Sequence, residues 1–166
     1  MLLDVSKLKN APGSTLPFEV SLDLSELRFG EVCAERPVTA VGSVRNTAGV
    51  FLLDGTLTAE LRGPCDRCGK ETVKTVCYPL KAVLAETLED ERDEAPDLFL
   101  LMDGQADLDE IVTNCYVLQM DSKFLCREDC RGLCPRCGRD LNLGDCCCKP
   151  EPDPRLAVLK QLLQET

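Results

Sequence analysis

The sequence has 166 residues, a formal net charge of −10 and 44% apolar residues. This length and apolar content predict one folded domain with at most a small appendage, and they exclude a wholly disordered chain. The acidic balance argues against a broad electrostatic grip on a nucleic-acid backbone. The chain has no histidine, so it lacks the commonest general base and the imidazole ligand of most catalytic zinc sites.

The amino-terminal residues predict neither a signal peptide nor a membrane anchor. An acid stands at position 4, and no apolar run of useful length follows it. No stretch of the chain approaches the roughly 20 apolar residues that a membrane span needs. We therefore expect a cytoplasmic protein, in which the twelve cysteines are thiols or thiolates rather than structural disulfides.

Alternation of apolar and polar residues predicts an antiparallel β-meander. Four segments have the period of two that is typical of half-buried strands, and a shorter apolar segment follows them: 18–24, 37–46, 50–61, 72–85 and 98–102. Turn residues at 46–49 join the second segment to the third. Pro79 interrupts the fourth segment, which fits an edge strand or a bulge.

Two helices are predicted in the second half of the chain. An acidic stretch at 86–97 is interpreted as a solvated loop. Residues 107–120 then begin with Asp107 as N-cap and Glu110 three residues later, the signature of a capping box. A last helix covers 153–163, with leucines at helical spacing.

These elements predict an α+β fold, in which an antiparallel meander or partly open, barrel-like sheet is packed by one or two helices. We expect a β-rich core domain over residues 1–125 that includes the helix at 107–120. A cysteine-rich zinc-knuckle segment over 126–149 packs on this core, and a C-terminal helix covers 150–166.

Eight cysteines have the spacing of metal ligands. Two CxxC units, each followed by glycine, stand beside an x3-spaced pair and a CxC end, and together they supply Cys65, Cys68, Cys126, Cys130, Cys134, Cys137, Cys146 and Cys148. Two intervening residues let both sulfurs reach one ion at about 2.3 Å, and the glycine accepts a positive φ that turns backbone amides toward the thiolates. One or two structural Zn²⁺ ions per chain are therefore predicted.

Two partitions of these ligands are open. In the favoured one, the second CxxC unit shares an ion with Cys146 and Cys148, and the first unit shares one with Cys126 and Cys130. In the other, Cys126 and Cys130 join the second unit, and the first unit joins the terminal pair. All-cysteine sites have no open coordination position, so both partitions predict a structural rather than a catalytic role.

Three cysteines outside this set, Cys33, Cys77 and Cys115, are interpreted as ordinary thiols, and Cys77 and Cys115 in particular as small apolar residues. Cys147 is flanked by presumed ligands and is expected to point elsewhere. A redox role for a CxxC unit is disfavoured, because thioredoxin-type motifs open a helix after a strand, whereas the first unit lies in an apparent β-turn.

Basic residues around the CxxC units are candidates for contacts with RNA or with a protein partner: Arg62, Arg67, Lys70, Arg131 and Arg136. The alternative is that these bases only balance the charge of the thiolates. Because the body of the protein is acidic, we favour contacts with a protein or a ribonucleoprotein over contacts with bare RNA.

The order of strands, turn and cysteine motifs resembles the bacterial YceD family, described as large ribosomal RNA subunit accumulation proteins. The most specific parts of the resemblance are CDRCGK at 65–70 and CREDCRGLCPRCGRDLN at 126–142. The resemblance implies a cytoplasmic, non-enzymatic role in the synthesis or processing of large-subunit ribosomal RNA, hence in ribosome biogenesis. It places the functional residues at Cys65, Arg67 and Cys68 and makes the second CxxC unit a stabilising addition. Together with the acidic body of the protein, it also makes a basic ribosomal protein or another assembly protein an expected partner.

Two other functions stay open. The excess of cysteines is compatible with a thiol-based redox switch or a zinc-gated chaperone, in which oxidation ejects zinc. A zinc-ribbon protein that reads nucleic acid is a second alternative, although the net acidity and the low aromatic content, 4%, weigh against it.

Overall fold

A computed structural model describes residues 1–9, 11, 13–47, 50–87 and 97–148. Within these ranges the chain forms eight strands and two helices, in the order β1 (Leu2–Asp4), α1 (Ser6–Lys9), β2 (Thr15–Leu22), β3 (Cys33–Ala34), β4 (Val38–Thr47), β5 (Val50–Pro64), β6 (Glu71–Ala85), β7 (Leu98–Leu100), β8 (Gln105–Asp107) and α2 (Leu108–Gln119). The predicted α+β class is confirmed, with a mostly antiparallel, open sheet and few helices.

The main sheet has the strand order β2-β4-β5-β6-β7, and β3 pairs with the far end of β5 beyond β4. The pairs from β2 to β6 are antiparallel, as the predicted meander requires, whereas β7 runs parallel to β6. A separate two-stranded sheet joins β1 to β8. Strands β5 and β6 form a long hairpin whose turn contains the first CxxC unit.

The period-two pattern correctly identifies the buried face of the sheet. Along β5 the side chains of Leu53, Leu57, Ala59 and Leu61 are each at most 1% exposed. The alternate residues of this strand face outward, because successive side chains in a strand point to opposite faces. The inward faces of β2, β4 and β6 contribute to the same apolar core.

Helix α2 covers one face of the sheet. Asp107 is its N-cap, as predicted, and the Asp107 carboxylate accepts a hydrogen bond from the Asp109 amide at 3.0 Å. Leu108, Ile111 and Val112 are buried against the sheet, as their helical spacing predicts. The last turn of the helix leads directly into the cysteine-rich segment.

Pro79 lies on an edge of the sheet. The sequence predicted either an edge strand or a bulge at this residue. The register between β5 and β6 is continuous, so the strand has no bulge, and β7 covers β6 only from Val83 to Ala85. The Pro79 carbonyl accepts a hydrogen bond from the Gln119 side chain at 2.7 Å. This bond ties the end of α2 to the uncovered edge.

Several expectations differ from the structure or lie beyond its described part. Strand β6 places Cys77, interpreted as a small apolar residue, on its exposed face and outside the core, whereas Cys115 is buried. The predicted helix at 153–163 lies outside the described residues, as does most of the acidic stretch at 86–97. Among the helices that are described, none combines the length and the apolar character needed to cross a membrane.

Candidate metal centres

The first CxxC unit lies in the turn of the β5–β6 hairpin. Cys65 directly follows β5, its amide donates to the Lys70 carbonyl at 2.9 Å, and its carbonyl accepts from the Gly69 amide at 2.8 Å. Gly69 has a φ of 70°, a conformation that side-chain-bearing residues rarely adopt. The turn therefore presents both sulfurs of the unit on one side.

The segment after α2 brings two more cysteines to this turn. The Sγ atoms of Cys65 and Cys130 are 3.8 Å apart, and those of Cys68 and Cys126 are also 3.8 Å apart. All four Sγ atoms lie within 4.8 Å of one another. We call this cluster the first centre: Cys65, Cys68, Cys126 and Cys130.

The second CxxC unit repeats the turn of the first. The Cys134 amide donates to the Arg139 carbonyl at 2.8 Å, and the Gly138 amide donates to the Cys134 carbonyl at 2.9 Å. Gly138 has a φ of 71°. The Cys134 and Cys146 Sγ atoms are 3.3 Å apart. The four sulfurs that gather here also lie within 4.8 Å of one another, and we call this cluster the second centre: Cys134, Cys137, Cys146 and Cys148.

The two clusters have the composition of the favoured partition, in which the first CxxC unit is joined by the x3-spaced pair. They also fit zinc. A tetrahedral ion with zinc–sulfur bonds of about 2.3 Å holds its sulfurs about 3.8 Å apart, which matches both pairs of the first centre. A disulfide would need an S–S distance of about 2.05 Å, and none of the twelve cysteines forms one.

Each centre contains sulfurs of contrasting acidity. Burial, the largest influence on Cys65, raises its pKa, but the backbone amides of Cys126, Cys68 and Arg67 outweigh burial and lower the pKa to about 6. Burial together with the neighbouring Cys130 raises the pKa of Cys126 to about 12. At neutral pH the metal-free first centre therefore contains both a thiolate and a thiol.

The second centre shows the same contrast. The backbone amides of Cys137 and Arg136 and the contact with Cys146 lower the pKa of Cys134 to about 6. The contact with Cys137, followed by burial, raises the pKa of Cys148 to about 12. A cation that binds either centre must displace the protons of the high-pKa thiols, as metal binding to cysteines generally does.

Arg67, between the two cysteines of the first unit, joins the two centres. Its guanidinium donates to the Cys130 carbonyl at 2.7 Å and to the Glu128 carbonyl at 3.4 Å, and its own carbonyl accepts from the Leu133 amide at 3.1 Å. A Cβ atom at Gly132 would lie 2.9 Å from the Arg67 carbonyl oxygen. The absence of a side chain at Gly132 thus permits this close approach.

Asn142 is a second link, and the sequence reasoning missed it. Its amide nitrogen donates to the Cys130 sulfur at 3.4 Å, although Asn142 belongs to the segment of the second centre. Its amide oxygen accepts from the Arg131 amide at 2.8 Å and from the Arg127 guanidinium at 2.7 Å. The only sequence signal for this role is the position of Asn142 at the end of the quoted GRDLN stretch.

Asp66 fastens the hairpin turn to the segment after α2, and it was also missed. Its carboxylate accepts from the Phe124 amide at 2.6 Å, and its own amide donates to the Phe124 carbonyl at 2.8 Å. Phe124 is buried, with 4% of its surface exposed. Asp66 therefore positions Phe124 two residues before Cys126, which is a ligand candidate of the first centre.

Most of the basic residues predicted to contact RNA or a partner have acidic or carbonyl neighbours. Arg62 lies 3.3 Å from Glu35 and 3.9 Å from Glu71, and Arg131 forms an ion pair with Asp145. Arg67 donates to the carbonyls described above. Lys70 and Arg136 are on the exposed surface near the two CxxC turns.

The fold and the two clusters together define a class: a small β-rich protein with two four-cysteine centres, one at the turn of the β5–β6 hairpin and one within the segment after α2. The chain belongs to the YceD family, because the family model described as "Large ribosomal RNA subunit accumulation protein YceD" matches residues 53–163. This match includes β5 from residue 53 onward, β6, α2 and both centres.

Three relatives show the range of the similarity. An uncharacterized protein of Mycobacterium tuberculosis is 26% identical over 98% of this chain and 81% of its own length. The uncharacterized protein YlbN of Bacillus subtilis is 25% identical over 97% of this chain and 95% of its own length. A maize protein named "Large ribosomal RNA subunit accumulation protein YCED homolog 1, chloroplastic" is 26% identical over 75% of this chain and 53% of its own length. No solved structure matches the chain.

Proposed function

We propose that this protein is a non-enzymatic ribosome-biogenesis factor that promotes the accumulation of large-subunit ribosomal RNA. The observation that supports this proposal most directly is the family match over residues 53–163. The name of the maize relative refers to the same process. The cytoplasm, predicted from the sequence, is the compartment that we propose for this role.

We further propose that the first and second centres each hold one structural Zn²⁺. Four thiolates close the coordination sphere of zinc, so bound zinc supplies rigidity and not a reactive water. The segment at 121–148 contributes few buried apolar side chains, among which Phe124 is the largest. Metal binding on the order of 10 kcal/mol, as small zinc modules show, is therefore the main source of order for this segment in our proposal.

The contacts of the basic residues favour a protein or ribonucleoprotein partner over bare RNA. Arg62 and Arg131 have carboxylate neighbours, and Lys74 lies 3.7 Å from Asp121. Such pairs partly neutralise the positive field that phosphate binding needs. We propose that Lys70 and Arg136, on the exposed surface of the CxxC turns, contribute local contacts within a complex rather than a continuous RNA-binding surface.

The test is a gene deletion with complementation. Deleting the gene in its host is expected to lower mature large-subunit ribosomal RNA relative to small-subunit RNA, and the wild-type gene is expected to restore the ratio. Cys65→Ser is expected to fail in this complementation, because it removes a ligand of the first centre. Cys77→Ser is the matched control, because Cys77 is exposed on β6 and belongs to neither centre. An unchanged ribosomal RNA ratio in the deletion strain would refute the proposed function.

Exposure at the second centre favours one further candidate function, a redox switch. Cys137 and the neighbouring Cys147 are both exposed, whereas Cys65 and Cys130 of the first centre are each 2% exposed. Hydrogen peroxide would oxidise two thiolates to one disulfide, be reduced to two hydroxide ions and thereby release the ion that they bind. Mild peroxide that releases zinc from the wild type but not from Cys147→Ser would support this candidate, and full zinc retention in both would exclude it.

A further inference from the structure

An exposed apolar trough runs along the outer side of α2. Two cavities that open to solvent, with volumes of about 550 and 570 Å³, flank the helix, and Val117 lines both of them. The first lies toward the hairpin turn and the first centre, and includes Phe29 and Met120. The second lies toward the end of β2, and includes Leu22 and Leu118.

The floor of this trough exposes large apolar side chains. Leu118 is 63% exposed and Val117 is 42% exposed, although both belong to a helix whose opposite face is buried. Adjacent exposed apolar residues within a concave surface are typical of a binding site and not of an ordinary solvated face. The trough therefore has the shape and the apolar surface to accept a second apolar element.

The polar lining of the trough is strongly acidic. The two cavities are lined by five carboxylates and a single lysine: Glu31, Asp66, Asp109, Glu110, Asp121 and Lys74. Two of these carboxylates already have a cation of this chain: Lys74 lies 3.7 Å from Asp121 and 5.0 Å from the centre of the Phe124 ring, and the N-terminal ammonium group forms an ion pair with Asp109. The lining keeps a net negative charge after these pairs are counted. Phosphate groups are repelled by such a lining, whereas lysine and arginine side chains are attracted to it.

We propose that the trough binds a lysine- and arginine-rich amphipathic helix of a partner protein. An apolar groove beside a helix is the surface that helix-in-groove recognition uses, with apolar residues at i, i+3, i+4 and i+7 as anchors. The partner's apolar face contacts Val117 and Leu118, and its basic face contacts the carboxylates of the lining. This inference rests on the proposed function in one respect. It takes the partner to be a basic protein of the assembling large ribosomal subunit.

The test uses the full-length, zinc-loaded protein and a synthetic helical peptide as the probe. The peptide has leucines at i, i+3, i+4 and i+7 and lysine or arginine elsewhere, and a second peptide has glutamate in place of the basic residues. Fluorescence anisotropy is expected to show that the basic peptide binds at least about tenfold more tightly than the acidic one. Higher salt is expected to weaken the binding of the basic peptide.

Leu118→Lys is the decisive variant, because it adds a cation to the trough at an exposed position. It is expected to weaken the binding of the basic peptide at least about tenfold. Val41→Lys is the matched control: Val41 is 55% exposed and lies on the outward face of β4, so it is expected to leave the affinity unchanged. Zinc content and thermal midpoint verify that both variants are folded.

Equal effects of Leu118→Lys and Val41→Lys, or equal affinities for the two peptides, would overturn the proposal. Binding that appears only after removal of residues 149–166 would instead assign the trough to the chain's own C-terminal segment. Self-association that Leu118→Lys abolishes would assign it to a second copy of the chain. The peptide assay does not measure ribosomal RNA, so its failure and a failure of the deletion test are independent results.

Discussion

The first and second centres have the same ligand set but join very different parts of the chain. In the first centre, Cys65 and Cys130 are separated by 65 residues, and each is 2% exposed. In the second, Cys134 and Cys146 are separated by 12 residues, and Cys137 is exposed. One centre therefore fastens the sheet to the segment after α2, and the other folds a short segment on itself.

This difference predicts how each centre contributes to the fold. A link between distant residues removes more conformational freedom from the unfolded chain than a link between near ones, because the entropy of loop closure rises with loop length. Further contacts join the same two segments beside the first centre, such as the two bonds between Asp66 and Phe124. We expect the loss of the first centre to disturb the tertiary structure, and the loss of the second to remain local.

The largest expected effect comes from Cys65→Ser, compared with Cys137→Ser. Loss of the first ion removes a contribution on the order of 10 kcal/mol, so Cys65→Ser is expected to lower the thermal midpoint by at least about 10 °C. Cys137→Ser is expected to have a clearly smaller effect, because Cys137 is exposed and its centre is local. Differential scanning calorimetry measures both. Equal decreases in the thermal midpoint would show that the two centres contribute equally to stability.

The pH dependence of zinc binding tests the electrostatics of both centres. The pKa values of Cys65 and Cys134 are lowered to about 6, so these sulfurs are thiolates at neutral pH and become protonated as the pH falls through about 6. Because protons compete with zinc for thiolates, the affinity at both centres is expected to fall continuously from pH 8 to pH 5 and most steeply at the lower end.

A competition titration with a chelator measures this dependence. The pKa values of Cys126 and Cys148 are raised to about 12, so zinc must displace their protons at neutral pH. Proton release into a weakly buffered solution is expected to accompany zinc binding. An affinity that does not change with pH would contradict the account of these four sulfurs.

Asn142→Asp tests the link between the centres with almost no change in shape. An aspartate retains an acceptor for the Arg131 amide, but it replaces the donor to the Cys130 sulfur by a carboxylate oxygen. We expect zinc to dissociate at least about tenfold faster from the first centre, an effect typical of residues that support metal ligands. Asn114→Asp, at a helical position in neither centre, is the control. If zinc dissociates equally fast from Asn142→Asp and from Asn114→Asp, Asn142 does not support the first centre.

Gly132→Ala and Gly138→Ala form a matched pair with the smallest expected effects. Both glycines have a φ near +70°, so each substitution introduces backbone strain of about 1 kcal/mol. Only at Gly132 does the added Cβ meet another group, the Arg67 carbonyl oxygen at 2.9 Å. Chemical denaturation is expected to show a greater loss in the free energy of unfolding for Gly132→Ala than for Gly138→Ala. If the two losses are equal, the close approach of the two segments does not contribute to stability.

The sequence was sufficient to predict the long strands and the major helix, because their apolar residues recur with a period of 2 or 3.6 over many positions. Strands β1, β3 and β8 were missed, since two or three residues are too few to show a period. The parallel pairing of β7 was not predicted either, because it depends on how the chain returns after residues 88–96 and not on local pattern.

Motif spacing identified the eight cysteines but left two groupings of them open, and it indicated none of the residues that support them. The CxxC turns were predicted from local geometry, including the positive φ of Gly69 and Gly138. The roles of Asp66 and Asn142 depend on segments that meet only in the folded protein, so no local pattern indicates them. For the same reason, the hydrogen bonds from Arg67 to carbonyl groups of its own chain were not predicted.

Elemental analysis of the purified protein, combined with native mass spectrometry, tests the central claim most directly. Two zinc ions per chain are predicted for the wild type, and one for the double variant Cys65→Ser, Cys68→Ser, in which the second centre keeps its four ligands. One ion or none in the wild type would contradict the claim that both centres hold structural zinc. Two ions retained in the double variant would contradict the assignment of the first CxxC unit to the first centre.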